Sequence, residues 1–447
     1  MTKAQRHAWP APALAAVSPR AATDPASCFV DLAAEWRAGK QPLRQLLRRR
    51  SDRLHALPSR ERRQLEELLF AYARWRDRVD GLVDAAVQEL PITHPRPNAH
   101  QRLLLAHALV GRLAQLPTRP LDPVALAAIE RALQQQTPAT DPLAALGQRY
   151  GFDPAIIDEW NKVLGGAEIE RALAAFDQRP AFHLRPRSPT TAAQVIAELA
   201  SDDIAAEPHP LIPHAVVVTK PVRLEHHPLL LEQRASVQDA ASQLALLALA
   251  VEPGQAVVDY CAGGGGKAEA IADALCGHGK LLLFDRDKRR LAAARKRVAN
   301  LKGVHVEGEV RDGLVPPTFD EHGRAQRVLV DAPCSGLGTA HRQPDLKWRY
   351  QADDVARFAR DQLRLVRNAA QLLAPAGRLL YTTCSLRLAE NDDVADAIPS
   401  STGLKPVPLS AVLGPLADTL GARGERLTLW PHRHQCDGFF IALFQRD

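Results

Sequence analysis

Between residues 59 and 75 the apolar positions Leu65, Leu68, Leu69 and Tyr72 follow the i, i+3, i+4, i+7 spacing of one buried helix face. Ser59, after Pro58, stands where an N-cap would stand. The same texture, without strand signals, runs from about residue 26 to 166 and predicts an all-α N-terminal domain. From 167 to 235 it changes. Pro180, Pro186, Pro189, Pro208, Pro210 and Pro213 interrupt short apolar pieces such as 215–218, which reads as a small α/β module. From residue 236 to 447, strand-length apolar runs (256–258, 281–284, 328–330, 379–381) alternate with helical stretches (267–275, 288–301, 354–373). That alternation predicts an α/β Rossmann-like domain with a mostly parallel, doubly wound sheet. In such sheets ligands bind beyond the carboxyl ends of the strands.

Composition narrows the class. A chain of 447 residues exceeds one typical domain, and 46% apolar residues suffice for ordinary cores. No apolar run approaches the roughly 20 residues of a membrane span. Residues 1–25, rich in Ala and Pro and broken by Pro10, Pro12 and Pro19, read as a disordered tail rather than a targeting peptide. The net charge of +6 is compatible with a polyanionic partner. Arg44, Arg48, Arg49, Arg50 and Arg53 form a basic run that is either a solvated face or a phosphate contact. The six cysteines form no CxxC pair, so neither a zinc ribbon nor a disulfide framework is expected, and a reducing, cytoplasmic setting is. His432, His434 and Cys436 alternate along one segment, but a structural zinc site wants four ligands, so no metal is expected.

The chemistry-bearing residues follow the apolar runs. After the first comes the loop Asp259, Tyr260, Cys261, Ala262, Gly263, Gly264, Gly265, Gly266, Lys267. Glycines between strand and helix admit a ligand to the backbone. Gly263, Gly265 and Ala268 satisfy a dinucleotide spacing, and Asp285 ends the second run. An NAD-dependent oxidoreductase therefore competes at this point. Asp259 argues the other way, because a carboxylate there repels a pyrophosphate and suits the cationic amino-acid end of S-adenosylmethionine. Asp331 and Cys334 follow the 328–330 run, and Cys384 follows 379–381, with Glu390 and Asn391 just beyond. Two sulfurs and a carboxyl on one sheet edge fit methylation of cytosine carbon 5. A thiolate adds at carbon 6, a carboxyl steadies ring nitrogen 3, and a base then removes the carbon 5 proton.

Taken in order, these segments resemble the RsmB/Sun (Nop/Sun) family of RNA cytosine-5 methyltransferases. The resemblance rests on 259–267, on 331–338 with Arg342, Pro344, Asp345, Lys347 and Trp348, on 381–385 with Glu390 and Asn391, on Val237, Gln238, Asp239 and Ser242, and on 437–440. Ser59 to Arg62 with Arg74, Trp75 and Arg78 resemble the NusB-like helical RNA-binding domain of RsmB-type members. The resemblance implies that Cys384 is the nucleophile, that Cys334 assists product release and that Asp331 holds the cytosine. It places Lys267 at the cofactor–substrate junction. It further implies an S-adenosyl-L-methionine site made of Asp259, Cys261, Ala262, Gly263, Gly264, Gly265, Gly266, Lys267, Asp285, Arg290, Asp312 and Asp331, with Asp285 on the ribose and Asp312 near the adenine. The 167–235 module would face the RNA. The expected partner is RNA, ribosomal RNA by the resemblance, acted on by a monomer with no membrane and no metal. The chain departs from the family in having Gly263-Gly264 for Ala-Pro and Ala268 for Thr. A catalytically silent RNA-binding factor is accordingly the second alternative.

Overall fold

The computed structural model describes residues 24–447 apart from 40, 92, 94, 96, 119–120, 136–138, 221, 300, 302 and 319–321. The expected tail lies, up to residue 23, outside the described residues. Contacts divide the chain into two units. One comprises residues 24–177 with Ala340–Arg349, and the other Gln178–Thr339 with Tyr350–Asp447. No described helix is long and apolar enough to cross a membrane.

The first unit contains the helices α1 (Pro25–Ala38), α2 (Leu43–Arg49), α3 (Ser51–His55), α4 (Ser59–Gln88), α5 (Ala99–Ala114), α6 (Pro123–Gln134), α7 (Pro142–Tyr150), α8 (Pro154–Leu164) and α9 (Gly166–Asp177). Four of them start with the same device. Asp24, Asp122, Asp141 and Asp153 each accept a backbone N–H of the first turn, and a proline follows directly. The carboxylate satisfies an orphan donor while proline presets φ and lacks the N–H that would otherwise go unpaired. Leu65, Leu68, Leu69 and Tyr72 are all buried, as their spacing predicts. The N-cap of α4 is Pro58 rather than Ser59, and the helix kinks at Trp75 (φ −115°, ψ 22°) before continuing to Gln88.

The arginine run spans two short helices, and most of it is engaged. Arg50 makes a paired contact with Glu35 at 3.0 Å, Arg53 lies 3.7 Å from Asp31, and Arg44 donates to the Arg342 carbonyl at 3.2 Å. The Ala340–Arg349 segment completes this unit's packing. Asp345 accepts the Leu43 N–H at 3.2 Å, at the start of α2, whose own cap residue is Pro42. Trp348 donates its indole N–H to the Ala73 carbonyl beside the kink at 2.5 Å. The Lys347 ammonium donates to the Tyr150 carbonyl at 2.8 Å and lies 4.1 Å from the Phe152 ring centre.

The second unit opens with a four-stranded antiparallel sheet ordered β2-β3-β1-β4, from β1 (Phe182–Pro186), β2 (Ala206–Pro208), β3 (Val216–Val218) and β4 (Ala235–Val237). Helix α10 (Ala192–Ser201) packs on it. The main sheet has eight strands. Its parallel part runs β9-β8-β5-β6-β7, with β5 (Ala256–Asp259), β6 (Gly279–Asp285), β7 (Val304–Val310), β8 (Ala325–Asp331) and β9 (Leu373–Thr383). β12 (Phe439–Gln445) adds antiparallel to β9 and itself pairs with β10 (Lys405–Pro406) and β11 (Arg426–Leu429).

Successive strand residues face opposite cores, as period 2 requires. Val257, Leu281, Leu329 and Leu380 pack with α11 (Ala240–Leu249), α12 (Gly266–Ala274) and α13 (Lys288–Val298). Val258, Val328, Val330 and Leu379 pack with α14 (Ala352–Ala370) and α15 (Asp392–Thr402). The helical N-terminal region followed by a mostly parallel α/β domain is the predicted fold class. The helix expected over 354–373 ends at Ala370, because Leu373 already pairs with Ala325 as the first residue of β9. The two sheets of this unit are tied at the cofactor-loop helix, where Arg185 and Arg187 bridge to Glu269 and Asp273 of α12 at 2.7–3.3 Å.

Candidate active site

β5, β6 and β8 each end on an aspartate: Asp259, Asp285 and Asp331. These three, with the loop after β5 and the two cysteines after β8 and β9, line a cleft of about 840 Å³. Nearly every site residue expected from the sequence lies on it. Asp259, Cys261, Ala262, Gly263, Gly264, Gly266, Lys267, Asp285, Arg290, Asp312, Asp331, Cys334 and Cys384 all line it. Gly265 does not. It adopts φ +81° against α13, where an added Cβ would lie 2.6 Å from the Ala294 Cα. That glycine permits close packing of the loop on a helix.

The glycine loop is a turn closed by the Gly265 N–H donating to the Ala262 carbonyl at 2.9 Å, with Gly263 at φ +54°. Asp285 accepts the Gly263 N–H on one oxygen and the Asp287 N–H on the other, both at 2.8 Å, with lone pairs to spare for hydroxyl groups. Asp259 is 1% exposed, and its oxygens meet no donor in good hydrogen-bond geometry. Burial first, then the Asp331 charge, pushes its carboxyl up to about 7, against opposing pulls from Lys267 and from the nearby Cys261 backbone N–H. A buried carboxylate facing a cleft with so little hydrogen bonding has the capacity to receive a cation. Together these groups fit the two ends of S-adenosylmethionine: an ammonium for Asp259 and ribose hydroxyls for Asp285.

On the other side of the cleft the Lys267 ammonium donates to Asp331 at 2.8 Å and lies 5.1 Å from the Phe439 ring centre. Burial pulls the lysine down, but the Asp331 carboxylate and its hydrogen bond outweigh it and hold the ammonium above its ordinary range. The second Asp331 oxygen accepts the Thr382 hydroxyl at 2.9 Å. The Cys334 and Cys384 sulfurs are 3.5 Å apart. Hydrogen bonding with the Cys384 sulfur, then burial, raises the Cys334 thiol well above its usual range.

The residues that hold the two cysteine loops together were not singled out as site residues in the sequence. Glu390, fully buried, accepts the Ser335 N–H (2.8 Å), the Ser335 hydroxyl (2.5 Å), the Ser385 hydroxyl (2.6 Å) and a Gln362 amide N–H (3.2 Å). Gln362 also donates to the Pro333 carbonyl at 2.9 Å, and Tyr381 donates to the Glu390 carbonyl at 2.6 Å. One carboxylate thus bolts the residues next to Cys334 and Cys384 to each other. The signal in the sequence was the pairing of Glu390 with the Thr-Cys segment. Phe358 and Leu365 of α14 add an apolar wall to the cleft. Of the alternating His432, His434 and Cys436, the first is half-buried and the other two are buried. His434 accepts the Trp430 N–H at 2.9 Å and its other nitrogen faces the Leu420 carbonyl at 3.1 Å.

Comparison with known proteins accords with this geometry. The sequence model described as 16S rRNA methyltransferase RsmB/F matches residues 246–445, and that of a ferredoxin-like domain of RsmF/B-like methyltransferases matches residues 155–225. A ribosomal RNA small subunit methyltransferase B of Xanthomonas campestris is 33% identical over 404 residues, 86% of this chain and 89% of that protein. A probable ribosomal RNA small subunit methyltransferase B of Synechocystis is 30% identical over 305 residues, 67% of each chain. In fold, a methyltransferase homolog protein from Pyrococcus horikoshii covers 69% of this chain and 100% of its own, with a TM-score of 0.57 at 24% identity. The chain therefore belongs to the RsmB/F (RsmB/Sun) family of S-adenosylmethionine-dependent ribosomal RNA methyltransferases.

Proposed function

We propose that this protein methylates carbon 5 of a cytosine in ribosomal RNA through a covalent adduct on Cys384. The observation that carries the reading is the sulfur pair, 3.5 Å apart, in the same cleft as the Lys267–Asp331 ion pair and the buried carboxylate of Asp259. S-adenosylmethionine, when bound, supplies an electrophilic methyl group. Asp259 would hold its ammonium, Asp285 its ribose, and Asp312 would lie on the adenine side. Cys384 must attack as a thiolate, and its sulfur forms a bond to carbon 6 of the ring. The electron pair of the carbon 5–carbon 6 bond becomes available at carbon 5, which would take the methyl group as the sulfonium–methyl bond breaks and S-adenosylhomocysteine leaves. The negative charge that develops on the nitrogen 3 side is steadied by the Lys267 ammonium that Asp331 holds, and by Asp331 itself only when it carries a proton to donate to nitrogen 3. The carbon 5 proton then leaves to a base, the carbon 6–sulfur bond breaks, and Cys384 returns as the thiolate. Cys334, beside it, stands where a proton can be moved as the adduct collapses.

In this reading residues 26–166 form a NusB-like RNA-binding domain, 167–235 an RNA-facing module and 236–447 the methyltransferase domain. The departures at Gly263, Gly264 and Ala268 leave Asp331, Cys334 and Cys384 lining the cleft, which supports the active enzyme over the catalytically weak or silent RNA-binding factor. Ala268 is fully buried among the apolar residues of α12. The test is a denaturing gel of each cysteine variant with unmodified small-subunit ribosomal RNA and cofactor. Cys334→Ala should give a shifted band that resists boiling in detergent, and Cys384→Ala should give neither band nor methylated product. A band from Cys384→Ala alone would exchange the two roles. A product other than 5-methylcytidine by nucleoside mass spectrometry would overturn the choice of carbon 5.

A further inference from the structure

Outside the catalytic cleft, the second unit has a surface cavity of about 590 Å³. Four arginines line it: Arg360, Arg364 and Arg367 of α14, and Arg446 just after β12. The Ser401 and Thr402 hydroxyls lie beside them, and among the described residues no carboxylate lines the cavity. Arg360, Arg364 and Arg367 sit at i, i+4 and i+7, on one stripe of the helix. At 1.5 Å rise per residue the first two are about 6 Å apart along the axis, close to the span of one nucleotide in an extended strand. Among the described residues none of the four is ion-paired. Arg446 is fixed from behind, donating to the Ala370 carbonyl at 2.9 Å. Like charges one turn apart on a helix are destabilising in themselves. Arg367 and Arg446 can complement the C-terminal end of the helix dipole. Arg360 and Arg364, further up the helix, gain little from it.

The neighbouring stripe of the same helix, Arg357, Phe358, Asp361 and Leu365, lines the catalytic cleft. Each residue turns the helix by about 100°, so the arginine stripe lies one step around α14 from the wall of the active site. It continues along the helix away from the cleft to Arg446, whose backbone N–H donates to the Gly377 carbonyl at the start of β9. We infer that this arginine-lined cavity is a phosphate site, which grips the phosphodiester backbone of the substrate RNA several nucleotides away from the one that enters the cleft. The inference rests on the reading of the protein as an RNA methyltransferase. It adds a binding surface in the catalytic unit itself, independent of the helical one. Arginine suits the task because its planar fork matches phosphate oxygens in pairs.

The full-length Arg364→Ala/Arg367→Ala variant tests this, with Arg446 left in place because it holds the end of α14. Binding to unmodified small-subunit ribosomal RNA is measured over a range of salt, alongside S-adenosylmethionine affinity by calorimetry. Two lost phosphate contacts should weaken binding about ten-fold at low salt and flatten the slope of log K against log salt by roughly 1.4–1.8. An unchanged cofactor affinity then shows that the fold is intact. Unchanged RNA affinity and slope would overturn the inference. A second arm adds inorganic pyrophosphate. If it stabilises the wild type but not the variant, while both bind RNA equally, the cavity takes free phosphates and the assignment to RNA is wrong. Failure of the wild type itself to bind RNA would instead overturn the functional reading on which the inference rests.

Discussion

The two sides of the cleft are built on opposite plans. Around the cysteines the protein supplies its own partners, with Glu390 alone accepting four hydrogen bonds from residues flanking both loops. On the cofactor side, Asp259 is buried with no donor in good hydrogen-bond geometry, and Gly264 has open space where a side chain would project. The contrast follows from what each side does. A nucleophile must meet its carbon within a narrow geometry, so its loops are fixed before substrate arrives. A cofactor brings its own charge and hydroxyls, so its side can remain incomplete until it binds. Under the proposed mechanism, pre-organisation is spent on the side where the covalent bond forms.

The largest effect should come from loosening the bolted side. Glu390→Gln keeps the shape of the side chain but removes the charge and turns one acceptor oxygen into an amide donor that faces other donors. Glu390 is a positioning residue and touches no reacting atom. A displacement of the sulfurs by about 1 Å would lower kcat about 100-fold, while the cofactor dissociation constant should stay within about two-fold. Single-turnover kinetics with calorimetry separates the two readouts. Equal losses of rate and cofactor affinity would show that the two sides are not built independently.

The candidate site residues were legible in the sequence because each follows a short apolar run in an alternation of strand-like and helical stretches. Asp259, Asp285, Asp331, Cys334 and Cys384 were found by that rule. Glu390 was legible as part of a motif but not in its role, since a carboxylate that gathers donors from Ser335, Ser385 and Gln362 is defined by long-range contacts. The strand β7 was passed over as an apolar run. Its residues alternate Val304, His305, Val306 and Glu307 because it is the edge of the sheet, with polar side chains turned to solvent. The four Asp-Pro helix starts were visible in the sequence and would have set the starts of α1, α6, α7 and α8 directly. By contrast, nothing local in Ala340–Arg349 shows that it packs with the helical unit. Trp348 finds its partner only because the kink at Trp75 disturbs the helix beside the Ala73 carbonyl.

An intermediate effect is expected on the open side, through Asp259. Its folded, ligand-free carboxyl lies at about 7 against an ordinary value of 3.8, so the folded state holds a proton that the unfolded chain has lost. Stability from this group is present below the unfolded value and is lost as pH rises through about 7. Binding an ammonium requires the charged form, so cofactor affinity should rise with pH between 5.5 and 7, by up to about ten-fold per unit. Asp259→Asn should bind more weakly and lose most of this dependence. Calorimetry across that range is the measurement. A wild-type affinity independent of pH would mean that another group receives the ammonium.

The smallest effect probes the looseness of the loop itself. Gly264 has no positive φ, and a Cβ built on it meets nothing within 4 Å. Alanine is therefore tolerated in the folded state, while it narrows the conformations of the unfolded chain. Gly264→Ala should raise stability by about 0.4–1 kcal/mol, read as a higher denaturation midpoint at constant m-value. If the loop is ordered mainly by the ligand, part of that gain should also appear as tighter cofactor binding, because less freedom remains to be lost. Gly265→Ala is the control of opposite sign. Its φ of +81° and the Ala294 Cα at 2.6 Å from an added Cβ make alanine strained and crowded, so it should destabilise. If both variants shifted stability in the same direction, the open conformation of the loop at Gly264 would not be the one the protein adopts. Stabilisation by Gly264→Ala without any change in affinity would place the ordering of the loop before binding, and the cofactor side would then be as pre-organised as the cysteine side.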